Sequence, residues 1–340
     1  MQTGDNTVLV KGRRRRGIRS GPHTGGKHSN KHRAQTKVAC QPTPKNGGTA
    51  HELVYKPHGT LLVQFTEETP TWYECGKNTV GRDDTIFETD TKNQKQQQPG
   101  ISKNTHEVLN YYRKLADEIY SHEVSLSRQA ALHSEKDEKW VENTMKKGTL
   151  KDRVAAMSVV VGMDCMHKLY ALDMLLDLAG CGVGGDGSVP NSRVGQMASE
   201  ALSDLFMNTL LPKDRKLFSL DHRPLFLYEG GRTLSPRVLL LWRYEEMIKL
   251  RYAAYLSRYI GKTLAGEDES SKKSALATAS VLLMNVPEGE ENLLTMIVNK
   301  IGDPCRKIAG AAGHQLRLIL DEHPAMVNIV AREVSHSCIY

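Results

Sequence analysis

A chain of 340 residues, 39% of them apolar, is long enough for one or two domains with a sizeable core. Its formal net charge of +7 is held unevenly: residues 1–50 contain five Lys, six Arg and one acid, a net +10, so the remainder sums to −3. No run approaches the roughly 18 apolar residues that span a bilayer, and the polar start Met1-Gln2-Thr3-Gly4-Asp5 is not a signal peptide. Six cysteines scattered without a close pair argue against a disulfide framework and a zinc module, which together suit a soluble protein of a reducing compartment.

Residues 1–50 lack Phe, Trp and Tyr and are expected to form a disordered basic tail. Within it Lys11, Arg13, Arg14, Arg15 and Arg16, then Arg19, Lys27, Lys31 and Arg33, read as a nuclear localisation signal or a phosphate-binding arm, with a plain solvated tail as the alternative. Without aromatics such an arm has no base-stacking platform and would bind without sequence preference. His23, His28 and His32 lack thiolate partners and read as solvated, not as metal ligands. Residues 51–103 form an extended or linker segment. It holds two short strand-like pieces, 53–55 and 61–65, then Thr71-Trp72-Tyr73-Glu74 and a polar linker at 91–100.

Helical periodicity begins at Thr105, where Val108, Tyr112, Leu115 and Ile119 fall four, three and four apart. A second helix over 134–147 closes at Gly148. Thr149 with Asp152 then opens a third as a near capping box, burying Val154, Met157, Val160 and Val161. A fourth, 166–178, buries Leu169, Leu172, Leu175 and Leu176. Asn191 caps the next, which Pro212 ends. After an irregular connector, Ser235-Pro236 starts the longest helix, near 237–260. Two hairpins finish the chain, 270–301 and 304–335. In the second, Asp303 and Pro304 are placed as N-cap and first helical residue before Ile308, Ala312, Leu316 and Ile319.

Basic residues opening apolar-faced helices recur at Arg153, Arg193, Lys273 and Lys307, spaced by about one or two periods of HEAT-type arrays. A cation there opposes the helix dipole, so pairing with a neighbouring Asp is the structural expectation. The fold class is therefore all-α: a HEAT- or armadillo-like α-solenoid of helical hairpins over 104–340, each burying its stripe against the next.

Several constellations carry no chemistry on inspection. Gly180-Cys181-Gly182-Val183-Gly184-Gly185 spells a dinucleotide fingerprint, but a helix precedes it and the next helix starts too late. Glu245 and Glu246, about 100° apart on a helix, cannot pair across a cleft and read as surface. Ser219, Asp221 and His222 are sequence neighbours, an unsuitable arrangement for a triad. No cofactor, metal site or catalytic set is expected. Arg215, Lys216 and Arg223 in the connector form the more serious group. They could grip RNA phosphates, or pair internally with acids such as Asp204, Asp214 or Glu246.

An ordered series of runs carries a resemblance. Thr71-Trp72-Tyr73-Glu74 and Tyr112-Arg113-Lys114-Leu115-Ala116 come first, then Thr144-Met145-Lys146-Lys147-Gly148-Thr149-Leu150 and Asp152-Arg153-Val154-Ala155-Ala156-Met157. Leu210-Leu211-Pro212, Arg215-Lys216-Leu217, Arg223-Pro224 and Leu241-Trp242-Arg243-Tyr244-Glu245 follow, and Val298-Asn299-Lys300-Ile301-Gly302-Asp303-Pro304 and His323-Pro324-Ala325-Met326 complete it. Over roughly 71–334 the chain resembles the CCAAT-binding-factor or nucleolar-complex-associated family. The resemblance implies a nucleolar, non-catalytic α-solenoid that assembles large ribosomal subunit precursors with a second nucleolar-complex protein, other assembly factors and pre-ribosomal RNA. It implies neither a membrane nor a small-molecule substrate. The family name suggests an alternative role as a co-regulator at CCAAT promoters. The family's solenoid continues past Arg332-Glu333-Val334, so the resemblance also implies a shortened member.

Overall fold

The structure is a computed structural model and describes residues 59–65, 71–77, 106–131, 136–182, 193–225 and 234–337. The basic cluster, the three tail histidines, the pieces at 53–55 and 91–100, and most of the glycine-rich loop lie outside the described residues.

Among the described residues every regular element is a helix: α1 (Trp72–Lys77), α2 (His106–Ala131), α3 (Lys136–Lys147), α4 (Leu150–Met163), α5 (Leu169–Leu178), α6 (Arg193–Leu205), α7 (Pro236–Ala254), α8 (Glu269–Asn285), α9 (Glu290–Val298), α10 (Arg306–Glu322) and α11 (Val327–Ser337). The hairpin α3–α4 turns at Gly148, where a side chain would drive a Cβ to 2.5 Å from the Thr144 carbonyl oxygen. Thr149 Oγ1 then accepts from the Asp152 amide, the cap the sequence announced. Asp268 caps α8 in the same way. Gly289 precedes α9 at φ 73°, tight against Leu256 and Tyr252, a left-handed conformation that a β-carbon would strain.

Helix α4 is flanked by α3, α5 and α6, and α6 also touches α8. Beyond that point α8 packs on α10 and α9 on α11, first helix against first and second against second. Such pairing of alternate helices is how stacked hairpins close one another's apolar stripes, and the arrangement is compatible with an α-solenoid.

The structure departs from the sequence reading in four places. The stretch at 71–77, expected to be extended, is helical from Trp72, whose indole Nε1 donates to the Leu210 carbonyl at 2.9 Å. Residues 61–65, expected to be strand-like, form no regular element, with a bend at Leu62. The Leu62 and Val63 amides donate instead to Glu123 Oε1 of α2, at 2.7 and 3.0 Å. Helix α10 starts two residues late, at Arg306, although the Asp303 carboxylate still accepts from the Cys305 amide (3.0 Å), as a cap does, and also meets Lys300 and Lys272. Finally, α6 and α7 do not simply stop. Each widens into a π-helical turn, Phe206–Leu210 and Tyr255–Gly261, and α7 resumes as Lys262–Ala265. These turns meet through a buried aromatic column: Phe206 stacks on Tyr255 at 5.5 Å, and Tyr255 on Tyr259 at 5.8 Å.

Three of the four helix-opening cations have partners in the structure, and none of these is the neighbouring Asp expected. Arg153 donates to the Met145 carbonyl, while Lys273 and Lys307 both reach Glu269.

Candidate nucleic-acid interface

The connector between α6 and α7 is held by several carboxylates, Glu245 taking the largest share. Glu245 lies on α7 on the face that also carries Leu241, Ile248 and Tyr252, all buried. The spacing 241, 245, 248, 252 follows a helical core face, and Glu245 is 1% exposed. A charge in that position needs several donors. Its Oε1 accepts from Arg215 Nη1 and from the Phe218 amide (2.9 Å), and its Oε2 from Arg223 Nη2 at 2.7 Å. The Arg223 guanidinium sits 4.9 Å from the Phe218 ring centroid and 5.1 Å from that of Trp242, which adds cation–π contact to the ion pair.

Glu246, also buried, repeats the device toward the other side. Arg113 of α2 reaches it at 2.7 Å and Arg243 binds its second oxygen. Arg113 extends to Asp221 at 3.2 Å, and Arg243 to Asp117 at 2.7 Å. Burial alone would raise the Glu246 carboxyl; the hydrogen bonds from Arg113 and Arg243 outweigh it and hold the group below the usual carboxylate range. A third buried glutamate, Glu288, accepts from the Leu217 amide at 2.7 Å and pairs with Lys249 at 2.8 Å.

The adjacent pair Glu245–Glu246, expected at the surface, is thus two buried anchors 100° apart, each facing a different neighbour. The connector arginines do pair internally, but with Glu245, where acids such as Asp204, Asp214 or Glu246 were expected. Arg215, Lys216 and Arg223 all lie in the connector, and the structure gives each an acid within this chain: Glu245 for the two arginines, Glu290 for Lys216 at 2.8 Å. Lys216 is the most open of the three, 48% exposed in its side chain against 25% for Arg215 and 10% for Arg223. The Glu290 hydrogen bond raises the Lys216 ammonium above its usual value, so it is a cation throughout the physiological range. Lys11, Arg13, Arg14, Arg15, Arg16, Arg19, Lys27, Lys31 and Arg33 lie outside the described residues.

Ser219, Asp221 and His222 do not converge. Asp221 pairs with Arg113, while His222 Nδ1 lies 3.4 Å from Ser219 Oγ.

One ionic centre was not foreseen. Glu123, fully buried on α2, lies 3.6 Å from His167 Nε2, and His167 Nδ1 lies 2.9 Å from Asp164. Burial alone would lower the imidazole; the hydrogen bond to Asp164 and the nearby Glu123 charge reverse this and carry it up to about 9. The signal for Glu123 was in the sequence, since it extends the series Tyr112, Leu115, Ile119 by four residues on the core face.

No protein-family model matches the chain. It is 34% identical over 235 residues to human CCAAT/enhancer-binding protein zeta, covering 67% of this chain and 21% of that protein. It is 32% identical over 203 residues to Nucleolar complex protein 1 of Drosophila melanogaster, covering 58% of this chain and 16% of that protein. Ribosome biogenesis protein NOC1 of Chaetomium thermophilum is 29% identical over 242 residues, 67% of this chain and 22% of that protein. The chain spans about a fifth of the length of the curated relatives it matches. Relatives agreeing in this way, over a helical array pinned by an internal charge network, mark the chain as belonging to the CCAAT-binding-factor or nucleolar-complex-associated family.

Proposed function

We propose that this chain acts without catalysis in nucleolar ribosome biogenesis, as a HEAT- or armadillo-type platform over 104–340 that serves large-subunit precursors. The observation that carries the reading is the match to relatives named for the nucleolar complex and for ribosome biogenesis. Alternate-helix packing supports the repeat assignment, because it presents long faces made of successive helices. Its partners on this reading are a second nucleolar-complex protein, further assembly factors and pre-ribosomal RNA. RNA is met by the basic arm, Lys11 to Arg33, through phosphate contacts, with Lys216 as the open cation of the connector. Arg215 and Arg223 position the connector and share their charge with Glu245.

Affinity capture of the tagged chain from nuclear extract tests the reading. Precursor large-subunit RNA together with assembly factors is the expected recovery; recovery of neither overturns it. The name of the human relative favours a second reading, association with CCAAT promoters. A binding assay with a CCAAT duplex and a scrambled duplex at matched salt separates the two, since a phosphate-only binder does not discriminate.

A further inference from the structure

The hairpin α3–α4 carries an apolar surface that is left exposed among the described residues. Helix α4 buries Val154, Ala156, Met157, Val160 and Val161. Its outward face, instead of turning polar after Asp152, continues as Ala155, Val159, Gly162 and Met163, all exposed, with Val159 at 52% and Met163 at 65%. A helix apolar on every side is ordinarily buried on every side. The neighbouring helix adds to the same surface. A Cβ on Gly148 would lie 3.2 Å from Thr144 Cγ2 and 3.3 Å from Asp152 Cβ, so the Thr144 edge of α3 borders the Asp152 edge of α4. Trp140 stands one turn from Thr144 on that edge and is 68% exposed. Across an antiparallel hairpin turning at Gly148, position 140 falls level with the stretch just before Val159. Trp140, Ala155, Val159 and Met163 therefore share one side of the hairpin.

The charges around this surface indicate what covers it. At the turn end the exposed cations Lys146, Lys147 and Lys151 outnumber the acids Glu142, which pairs with Lys146, and Asp152, which keeps its charge while accepting from Thr149. We propose that the α3–α4 face is a docking site for an amphipathic helix of a partner protein, its apolar stripe on Trp140, Val159 and Met163 and its acidic flank on Lys147 and Lys151. The proposal rests on the platform reading above and locates its protein-binding face. Trp140 is the central contact, since aromatic residues at the heart of an apolar surface dominate helix-in-groove recognition.

The chain supplies its own reporter. Of its three tryptophans, Trp72 and Trp242 are buried, so the solvent-exposed emission belongs to Trp140. Titration of the full chain with a synthetic Leu-faced, Glu-flanked helical peptide is expected to blue-shift that emission and cut its acrylamide quenching several-fold. The Lys-flanked counterpart is expected to do neither. The double variant Val159→Gln, Met163→Gln, altered only at exposed positions, should keep its helical circular dichroism and unfolding midpoint while losing the shift. Equal response to both peptides, or to neither, overturns the proposal. So does a shift produced only by anionic lipid vesicles, or one that grows with protein concentration alone as a dimer forms. In nuclear extract the double variant should still capture RNA but lose protein factors. Unchanged capture of those factors sinks the docking face and leaves the platform reading standing, whereas recovery of neither class by the unaltered chain sinks the platform reading.

Discussion

Two regions of the molecule solve the problem of joining helices differently. Around α7, segments far apart in sequence are tied by buried ions: Glu246 to Arg113 across 133 residues, Glu245 to Arg215 and Arg223, and Glu123 to the amides of Leu62 and Val63 some 60 residues away. In the α8–α11 hairpins apolar stripes stack on neighbours close in the chain; the enclosed Asp303 meets Lys272 and Lys300, but Lys273, Glu269 and Lys307 stand in solvent. The contrast is one of connectivity. Neighbouring hairpins find each other by repetition, whereas a connector or an extended strap has no repeat and needs directional, charged bonds to fix its place.

If the contrast is sound, damage to the buried ions should exceed every other lesion. Glu245→Ala leaves two guanidiniums and the Phe218 amide without their shared acceptor, and removing one partner of a buried ion pair costs about 3–5 kcal/mol. Urea unfolding should read that loss, and a cost below about 1 kcal/mol would erase the distinction between the regions. The next largest effect belongs to the stacked end. Ile319→Ala removes a fully buried side chain from α10 and should cost about 2–4 kcal/mol, without disturbing the fluorescence of the α7 region.

Changing pH probes the first region alone. The His167 imidazole is raised in the folded chain to about 9, so protonation favours the fold. That stabilisation is complete below the unfolded value near 6.5 and is lost as pH climbs through about 9. It amounts to something on the order of 3–4 kcal/mol, since each unit of difference is worth about 1.4 kcal/mol. Chemical unfolding at pH 6.5 and pH 9.5 should show the decline, and His167→Gln should reduce it to the part owed to the Cys165 and Cys181 thiols, which burial pushes up to about 12. At the weak end of the series, Lys273→Ala breaks only a solvent-exposed pair with Glu269 and should leave the midpoint unmoved; a clear drop would make the second region ionic as well.

Much of the fold was legible because it repeats. The helices after residue 104, the Thr149 cap and both terminal hairpins are written in spacing and capping residues, which act within a few positions of one another. The candidate interface was less so. Arg215, Lys216 and Arg223 stood out as a basic group, but a cation pattern does not name its counter-ion. Glu245 was misread as surface because adjacency to Glu246 drew attention from its place in the series 241, 245, 248, 252. Glu123 had the same legible position on α2 and passed unnoticed.

By itself, the sequence determined the class of fold, the hairpin order and the family, since each depends on local periodicity or on matched runs of residues. Only the tertiary structure decided that the connector's arginines face inward, that α6 and α7 widen into π turns around Phe206 and Tyr255, and that the α3–α4 face stays exposed among the described residues. Those outcomes depend on which distant groups arrive at the same place. A buried charge takes whichever donors packing brings to it, and an apolar face is covered only if some other element reaches it.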